Sequence, residues 1–231
     1  MGSRSSRKTS FEPRTKFCPP GFRKAPALAS RRAFSLIEVL VVMSIIGVIA
    51  AATIPAFQQI VIGSNFTVSG ELLRDNLTLA RQTALARNHS VEVRFYQFQG
   101  TGATTSDYQA FQLFLQKDDG TYAALTKVLY FPKSIILNTD TQFSSLFDSN
   151  STNTTIGQGV NTGVQLPEVG TAYQYLSFKF KPGGGTSLAQ VPPCFVTLVA
   201  KNAAPVNGSL PANFVTVQID PVVGKVAVLR P

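Results

Sequence analysis

The sequence predicts an α+β protein in which one long N-terminal helix packs on a mostly antiparallel β-sheet domain. Three observations indicate this fold class. Residues 34–54 form an almost uninterrupted apolar stretch. Apolar residues then recur at intervals near 3.6 up to about residue 87, as they do in an amphipathic helix. From Val91 onward the period changes to 2, which is typical of half-buried strands. The 231 residues are enough for one such domain with a helical extension.

Residues 1–33 carry most of the positive charge. The formal net charge is +9, from 21 Lys and Arg against 12 Asp and Glu. Nine of the basic residues and only one acidic residue, Glu12, precede Phe34, so this segment holds +8 and the remainder holds +1. Because no basic stripe remains after residue 33, nucleic acid is excluded as a partner. We interpret residues 1–33 as a basic leader peptide.

Residues 34–54, FSLIEVLVVMSIIGVIAAATI, are apolar or small except for Glu38. The stretch is long enough to cross a bilayer as a helix. A secretory signal peptide, a twin-arginine signal that uses Arg31 and Arg32, and a plain membrane anchor are three alternatives. None of them explains Glu38, because an ionisable side chain inside a membrane helix costs about 2.5–3.5 kcal/mol on insertion scales and marks a functional site. Glu38 therefore needs a partner.

The segment from Ala33 to Glu38, AFSLIE, resembles the processing site of type IV pilins and type II secretion pseudopilins. The resemblance implies that a prepilin peptidase cuts between Ala33 and Phe34, removes the leader and methylates the new amine of Phe34. It also implies that Glu38, the fifth residue of the mature chain, pairs with the N-terminus of a neighbouring subunit. A buried charge is tolerated when it is paired. The match continues to Gly47 and Pro55, where the family has helix-loosening residues.

Two features depart from the family pattern. Ala33 stands where the family usually has Gly, and the leader is long. Since Ala is also small, we expect slower processing at worst.

Residues 55–88 predict the amphipathic half of the same helix. Its apolar stripe consists of Ile62, Phe66, Leu73, Leu77, Ala80 and Ala84. Asn88 is a candidate left-handed cap after the last turn. Pro55 is expected to kink the helix, and Gly63 and Gly70 weaken it, so a break near Gly63 is possible.

Residues 89–231 predict a β-rich globular domain. The expected strands are 91–95, 108–115, 122–131, 134–137, 175–180, 194–200, 213–219 and 225–229. Residues 117–120 and 220–224 read as hairpin turns. The segment 140–165 is rich in Ser, Thr, Asn and Gly, which predicts a long exposed loop or a disordered insertion. It could carry a binding surface, although a solvated loop is the simpler interpretation.

Three segments that follow the apolar stretch resemble one subgroup of these families. Residues 77–84 with Asn88, the Asp-x-x-x-Gly pattern followed by Lys225, and the turn at 180–184 resemble the minor pseudopilin H and its pilus-biogenesis relatives. The whole chain also resembles the pilin-type protein D of the Verru_Chthon cassette family. The first resemblance implies a pilin-like fold and a minor subunit that primes or caps fibres.

The resemblance also implies the partners: prepilin peptidase, other pilin or pseudopilin subunits, an inner-membrane assembly platform and membrane lipid. The basic leader would lie on the cytoplasmic side and the globular domain on the other side of the membrane. Whether the fibre is a pilus or a secretion pseudopilus does not follow from the residues.

Residues for catalysis or metal binding are sparse, so we predict no enzyme activity, no cofactor and no metal site. His89 fits a surface or cap role, and Cys194 fits a buried small hydrophobe. Gly183 to Gly185 lie between strands, which is the wrong context for a phosphate loop. Asp118 and Asp119 fit turn chemistry. An alternative to the fibre subunit is a membrane-anchored binding module that uses residues 140–165.

Overall fold

The computed structural model describes residues 34–100, 104–148, 153–167, 169–189, 194–203 and 209–231, without the side chains at 52, 54–59 and 161. The predicted leader, including Ala33, lies outside the described residues. The chain divides into two compact units, Met1–Val48 and Ile49–Pro231.

Helix α1 runs from Leu36 to Arg87 without interruption, over 52 residues. Its end agrees with the prediction, and Asn88 has the left-handed φ of 54° expected of a cap. The break considered near Gly63 does not occur, and the helical backbone also continues through Pro55. Ile62 and Phe66 on either side of Gly63 pack on the protein core, and such packing stabilises a helix more than intrinsic propensity does.

Ten strands in the described residues form one antiparallel sheet, in the order β10-β9-β8-β5-β2-β1-β7-β6, with β3 and β4 also paired to β2. Their bounds are β1 Val91–Gln99, β2 Ser106–Gln116, β3 Tyr122–Ala124, β4 Leu129–Tyr130, β5 Ile135–Leu137, β6 Thr155–Gln158, β7 Gln174–Phe180, β8 Cys194–Ala200, β9 Val215–Ile219 and β10 Val226–Leu229. The strand expected at 122–131 is therefore two short strands. The fold class predicted from the sequence, a helix packed on a mostly antiparallel sheet, is confirmed.

The inner face of the sheet packs against the second half of α1. Every residue of the predicted apolar stripe contributes to this core, with Leu73, Leu77, Ala80 and Ala84 fully buried. The strands supply alternate residues, including Val93, Phe95, Phe111, Leu113, Phe178, Val196, Val215 and Val217. The period-3.6 and period-2 patterns thus meet in a single core.

The outer face of the sheet has a smaller core of its own. Tyr96, Phe98 and Ala110 on β1 and β2 are covered by Leu166 and Tyr173 from the segment that precedes β7. Tyr96 and Tyr173 meet edge to face at 5.0 Å between ring centroids. The sheet is therefore buried on both faces over these strands.

The segment 140–165 is more structured than the sequence predicted. Leu146 is fully buried in the main core, within a short 3-10 helix, Ser145–Phe147. Strand β6, which lies in this segment, pairs with β7. The Ser144 hydroxyl accepts a hydrogen bond from the N–H of Thr197 at 3.0 Å. Polar composition suggested a solvated loop, but side-chain hydrogen bonds and strand pairing tie the described part to the sheet.

Candidate functional site

The predicted processing segment begins at Phe34, whose side chain is 79% exposed. Helix α1 starts two residues later. The carbonyl oxygen of Ser35 accepts hydrogen bonds from the N–H groups of Glu38 at 3.0 Å and Val39 at 3.2 Å. Glu38 therefore lies in the first helical turn, where the partial positive charge of the helix N-terminus favours a carboxylate.

The first part of α1 is apolar on all sides. Every side chain from Phe34 to Ala51 is exposed within the chain. The large apolar residues among them are Phe34, Leu36, Ile37, Val39, Leu40, Val41, Val42, Met43, Ile45, Ile46, Val48 and Ile49, each 46% exposed or more. A surface helix has one apolar stripe, whereas a helix that is apolar all round needs apolar surroundings on every side. This segment therefore requires apolar surroundings on every side.

The hydroxyl groups of this segment are satisfied by its own backbone. Ser44 Oγ donates to the carbonyl of Val41 at 2.8 Å, and Thr53 Oγ1 donates to the carbonyls of Ile49 and Ala50 at 3.1 Å. Such local bonding removes the need for water around these residues. No ion pair involves Glu38 within the described part of the chain. Glu38 is also the one ionisable side chain between Phe34 and Thr53.

The two predicted helix-loosening positions lie within α1. A Cβ added at Gly47 would meet no atom within 4 Å. The side chain of Pro55 lies outside the described residues. Among the helices of the described residues, none has the length and apolarity required to span a membrane.

The other residues singled out from the sequence have structural roles. His89 lies 3.5 Å from Asp118, measured from Nε2 to Oδ1, where helix α1 gives way to β1. Asp119 Oδ1 accepts the N–H of Thr121 at 2.8 Å in the β2–β3 turn. Cys194 is buried, and this burial raises the pKa of its thiol to about 11 against a smaller lowering by Ser145. A thiol with so high a pKa is a poor nucleophile.

No group of three or more His, Cys, Asp or Glu side chains within the described ranges is placed to hold a metal ion.

A buried ion pair on the outer face of the sheet was not predicted. Arg94 Nε lies 2.7 Å from Glu92 Oε1, and the two side chains are only 8% and 6% exposed. The guanidinium sits over the rings of Phe114, Tyr175 and Tyr122, at 4.3, 5.0 and 5.3 Å from their centroids. Desolvation acts to lower the pKa of Arg94, but the hydrogen bond and the charge of Glu92 outweigh it and raise the pKa. These contacts make the pair part of the outer core.

Comparison with known proteins identifies one sequence motif. Residues 28–54 match the family model described as the prokaryotic N-terminal methylation motif. The match includes Ala33, Phe34, Glu38 and Gly47. The comparison with curated proteins gave no match.

Two solved structures of the minor pseudopilin EpsH from the type II secretion system of Vibrio cholerae are similar to this chain. The first has 11% sequence identity and a TM-score of 0.40, and the alignment covers 72% of this chain and 98% of that chain. The second has 13% identity and a TM-score of 0.40, with 74% and 96% covered.

Proposed function

We propose that this chain is a minor, prepilin-like structural subunit. A prepilin peptidase cuts the precursor between Ala33 and Phe34 and methylates the new amine of Phe34. The mature chain then assembles through its N-terminal helix into a type IV pilus or a type II secretion pseudopilus.

One observation carries this proposal: the N-terminal part of α1 is exposed and apolar on all sides, with Glu38 as its one charged group. The N-terminal methylation motif coincides with this segment. Helices of this kind bury their surface against lipid before assembly and against one another afterwards. Each Å² of apolar surface removed from water contributes about 25 cal/mol. The β-sheet domain, which has its own closed core, then faces outward.

Glu38 supplies the specificity of this packing. Cleavage before Phe34 creates a cationic amine, and Glu38 is the carboxylate that pairs with the amine of a neighbouring subunit. An unpaired carboxylate in an apolar helix bundle is strongly destabilising, on the order of 3–5 kcal/mol. Wrong registers of the helices are disfavoured because they leave both charges without a partner.

Location and partners follow from the same proposal. The precursor crosses the cytoplasmic membrane once, through residues 34–54, with the basic leader inside and the globular domain outside. Its partners are prepilin peptidase, other pilin or pseudopilin subunits, the inner-membrane assembly platform and membrane lipid. The minor role rests on the sequence features at 77–84, 180–184 and 219–225 that resemble the H-type subunits.

The experiment that tests this proposal replaces Glu38. Glu38→Ala is expected to lower the amount of subunit in sheared fibres by roughly tenfold or more, because the N-terminal amine loses its partner. Immunoblots of sheared and cell-bound fractions measure the effect. Glu71→Ala is the matched control, since Glu71 is a half-exposed carboxylate on the same helix and its ion pair with Arg74 is accessible to solvent. Wild-type incorporation of Glu38→Ala would contradict the proposal.

Mass spectrometry of the mature N-terminus provides a second readout. We expect an N-methylated Phe34. A mature chain that begins near Phe57 would instead indicate signal peptidase and would exclude a fibre subunit of this type.

A further inference from the structure

The turn between β9 and β10 exposes two consecutive valines. Val222 and Val223 are 57% and 49% exposed at its tip, a position where chains usually place polar residues. We call these two residues the valine knob. Leu85, at the C-terminal end of α1, is 44% exposed and packs on the adjoining turn, where a Cβ added at Gly184 would lie 3.3 Å from its Cδ2.

Hydrogen bonds fix the backbone of the valine knob. Asp220 Oδ1 accepts the N–H groups of Val222 at 2.8 Å and Val223 at 3.1 Å. The carbonyl of Val223 accepts a bond from Arg81 Nε on α1 at 2.8 Å. The carbonyl of Pro221 accepts both the N–H and the hydroxyl of Thr186, at 2.9 and 3.1 Å. The knob is therefore held by the helix and by the segment after β7.

Two glycines allow the turns to interlock. Gly224 has a φ of 65°, and a Cβ there would collide with the Gly184 carbonyl oxygen. A Cβ at Gly185 would lie 2.6 Å from the carbonyl oxygen of Val222. Because both turns lack side chains at their contact, they approach backbone to backbone. The two valines thus project from a rigid support.

The surroundings of the knob are basic. Arg81 contacts it directly, Lys225 follows it in the chain, and Lys181 opens the turn that packs against it. None of these three cations forms an ion pair within the described residues. The nearby carboxylate of Asp220 is committed to the backbone of the turn. The charged neighbours of the two valines are thus mainly cations: Arg81 is bonded to the knob, and Lys181 and Lys225 are exposed residues on the two turns that meet there.

We propose that the valine knob docks into an apolar pocket with an acidic rim on an adjacent subunit of the same fibre. That the partner is a fibre subunit rests on the proposed function. A rigid apolar projection loses little conformational entropy on binding, and an apolar centre with a polar rim is the usual anatomy of a protein–protein interface. The basic rim selects an acidic partner surface. The knob lies on a turn and has neither the helix nor the Trp, Phe or Leu residues by which interfacial helices bind membranes, which favours a protein partner.

Photo-cross-linking in cells tests the contact. A benzophenone amino acid replaces Val222 in the full-length chain, with Val160 as the matched control because it is 71% exposed on a different segment. The expected result is a covalent adduct with a pilin-type subunit at position 222, at least about fivefold above position 160. An adduct with lipid alone, with a protein outside the fibre, or none above the control would overturn the proposal.

A double variant separates this proposal from the proposed function. Val222→Ser with Val223→Ser leaves every backbone hydrogen bond of the turn available, and an unchanged Tm of the purified chain shows that it folds. We expect its incorporation into fibres to fall severalfold, while Val160→Ser incorporates like wild type. If wild type and double variant incorporate equally and position 222 gives no adduct, the docking proposal alone fails. If wild type is absent from fibres, the proposed function fails and the docking proposal with it.

Discussion

Glu92 and Arg94 show how a single residue can be misread from its sequence pattern. They alternate with Val91, Val93 and Phe95, so a period of 2 predicts that both face solvent. The structure instead buries both side chains and places the guanidinium of Arg94 over aromatic rings from β2, β3 and β7. The alternation correctly identified which residues share a face, but it carries no information about what lies on that face. The cover comes from segments that are distant in the chain.

Removal of one partner from the Glu92–Arg94 ion pair is expected to destabilise the fold. Glu92→Gln leaves the buried guanidinium of Arg94 without its counter-charge, so unfolding free energy should fall by about 3 kcal/mol. Glu71→Gln is the control, because it breaks an ion pair to Arg74 whose side chains are 42% and 44% exposed, and should cost less than about 1 kcal/mol. Urea unfolding of the purified chain, followed by tyrosine fluorescence, gives both values. Equal losses would contradict a structural role for the buried pair.

Cys194 makes stability depend on pH in the alkaline range. Burial raises the pKa of its thiol from 9.0 to about 11, so the unfolded chain releases this proton first. Stability from this group is therefore full below pH 9 and is lost as pH rises through about 11. Wild type should lose roughly 2 kcal/mol more than Cys194→Ala between pH 8 and pH 11. Urea unfolding of both proteins at several pH values measures the difference, and parallel curves would refute it.

Helix α1 is the element that the sequence predicted best. Its apolar stripe, its end near Arg87 and the left-handed Asn88 all agree with the structure. A break near Gly63 was considered because helix propensity assigns the same cost to every glycine. Their surroundings differ: a Cβ at Gly63 meets nothing within 4 Å, whereas one at Gly70 would lie 2.9 Å from Val215 Cγ1. Only the structure separates a tolerated glycine from a required one.

Replacement of these two glycines by alanine should change the stability of the chain in opposite directions. Gly63→Ala is expected to stabilise the chain by about 0.5–1 kcal/mol, since alanine is the better helix former and has free space. Gly70→Ala gains the same propensity but pushes α1 away from β9, with a net loss of about 1–2 kcal/mol. Val215 is β-branched and cannot easily rotate aside. Thermal unfolding of both variants measures the effect, and stabilisation by Gly70→Ala would show that the helix is not tightly seated.

The strand positions were predicted less accurately than the helix. Those with clear alternation, such as β1, β7 and β9, lie close to their expected positions. Strand β6 was missed because Thr155–Gln158 is short and mostly exposed and has only one large apolar residue, Ile156. The strand forms through its pairing with β7. The same dependence on a partner divides the region 122–131 into β3 and β4, each paired to a different part of β2. Pairing is a property of two segments, and one sequence window cannot report it.

At the scale of the whole molecule, the change of period near residue 90 sufficed to predict the fold class. Phe34 and Glu38 could be proposed as assembly residues from the sequence, because they belong to a contiguous motif. The valine knob could not. It depends on three segments that the fold brings together: the last turns of α1, the turn after β7 and the turn after β9. Contiguous sites are readable in a sequence, while sites assembled from distant segments are not.

Direct hydrogen bonds join helix α1 to the end of the chain. Thr67 accepts a hydrogen bond from Arg230, 163 residues later, and Arg81 bonds Val223, 142 residues later. The amphipathic half of α1 shares its core with β9. Strands β1, β2 and β7 also contribute to this core, so the last hairpin completes the cover of the apolar stripe rather than providing all of it. A chain that stops before this hairpin leaves part of the stripe exposed, so an unfinished subunit presents apolar surface that a finished one buries.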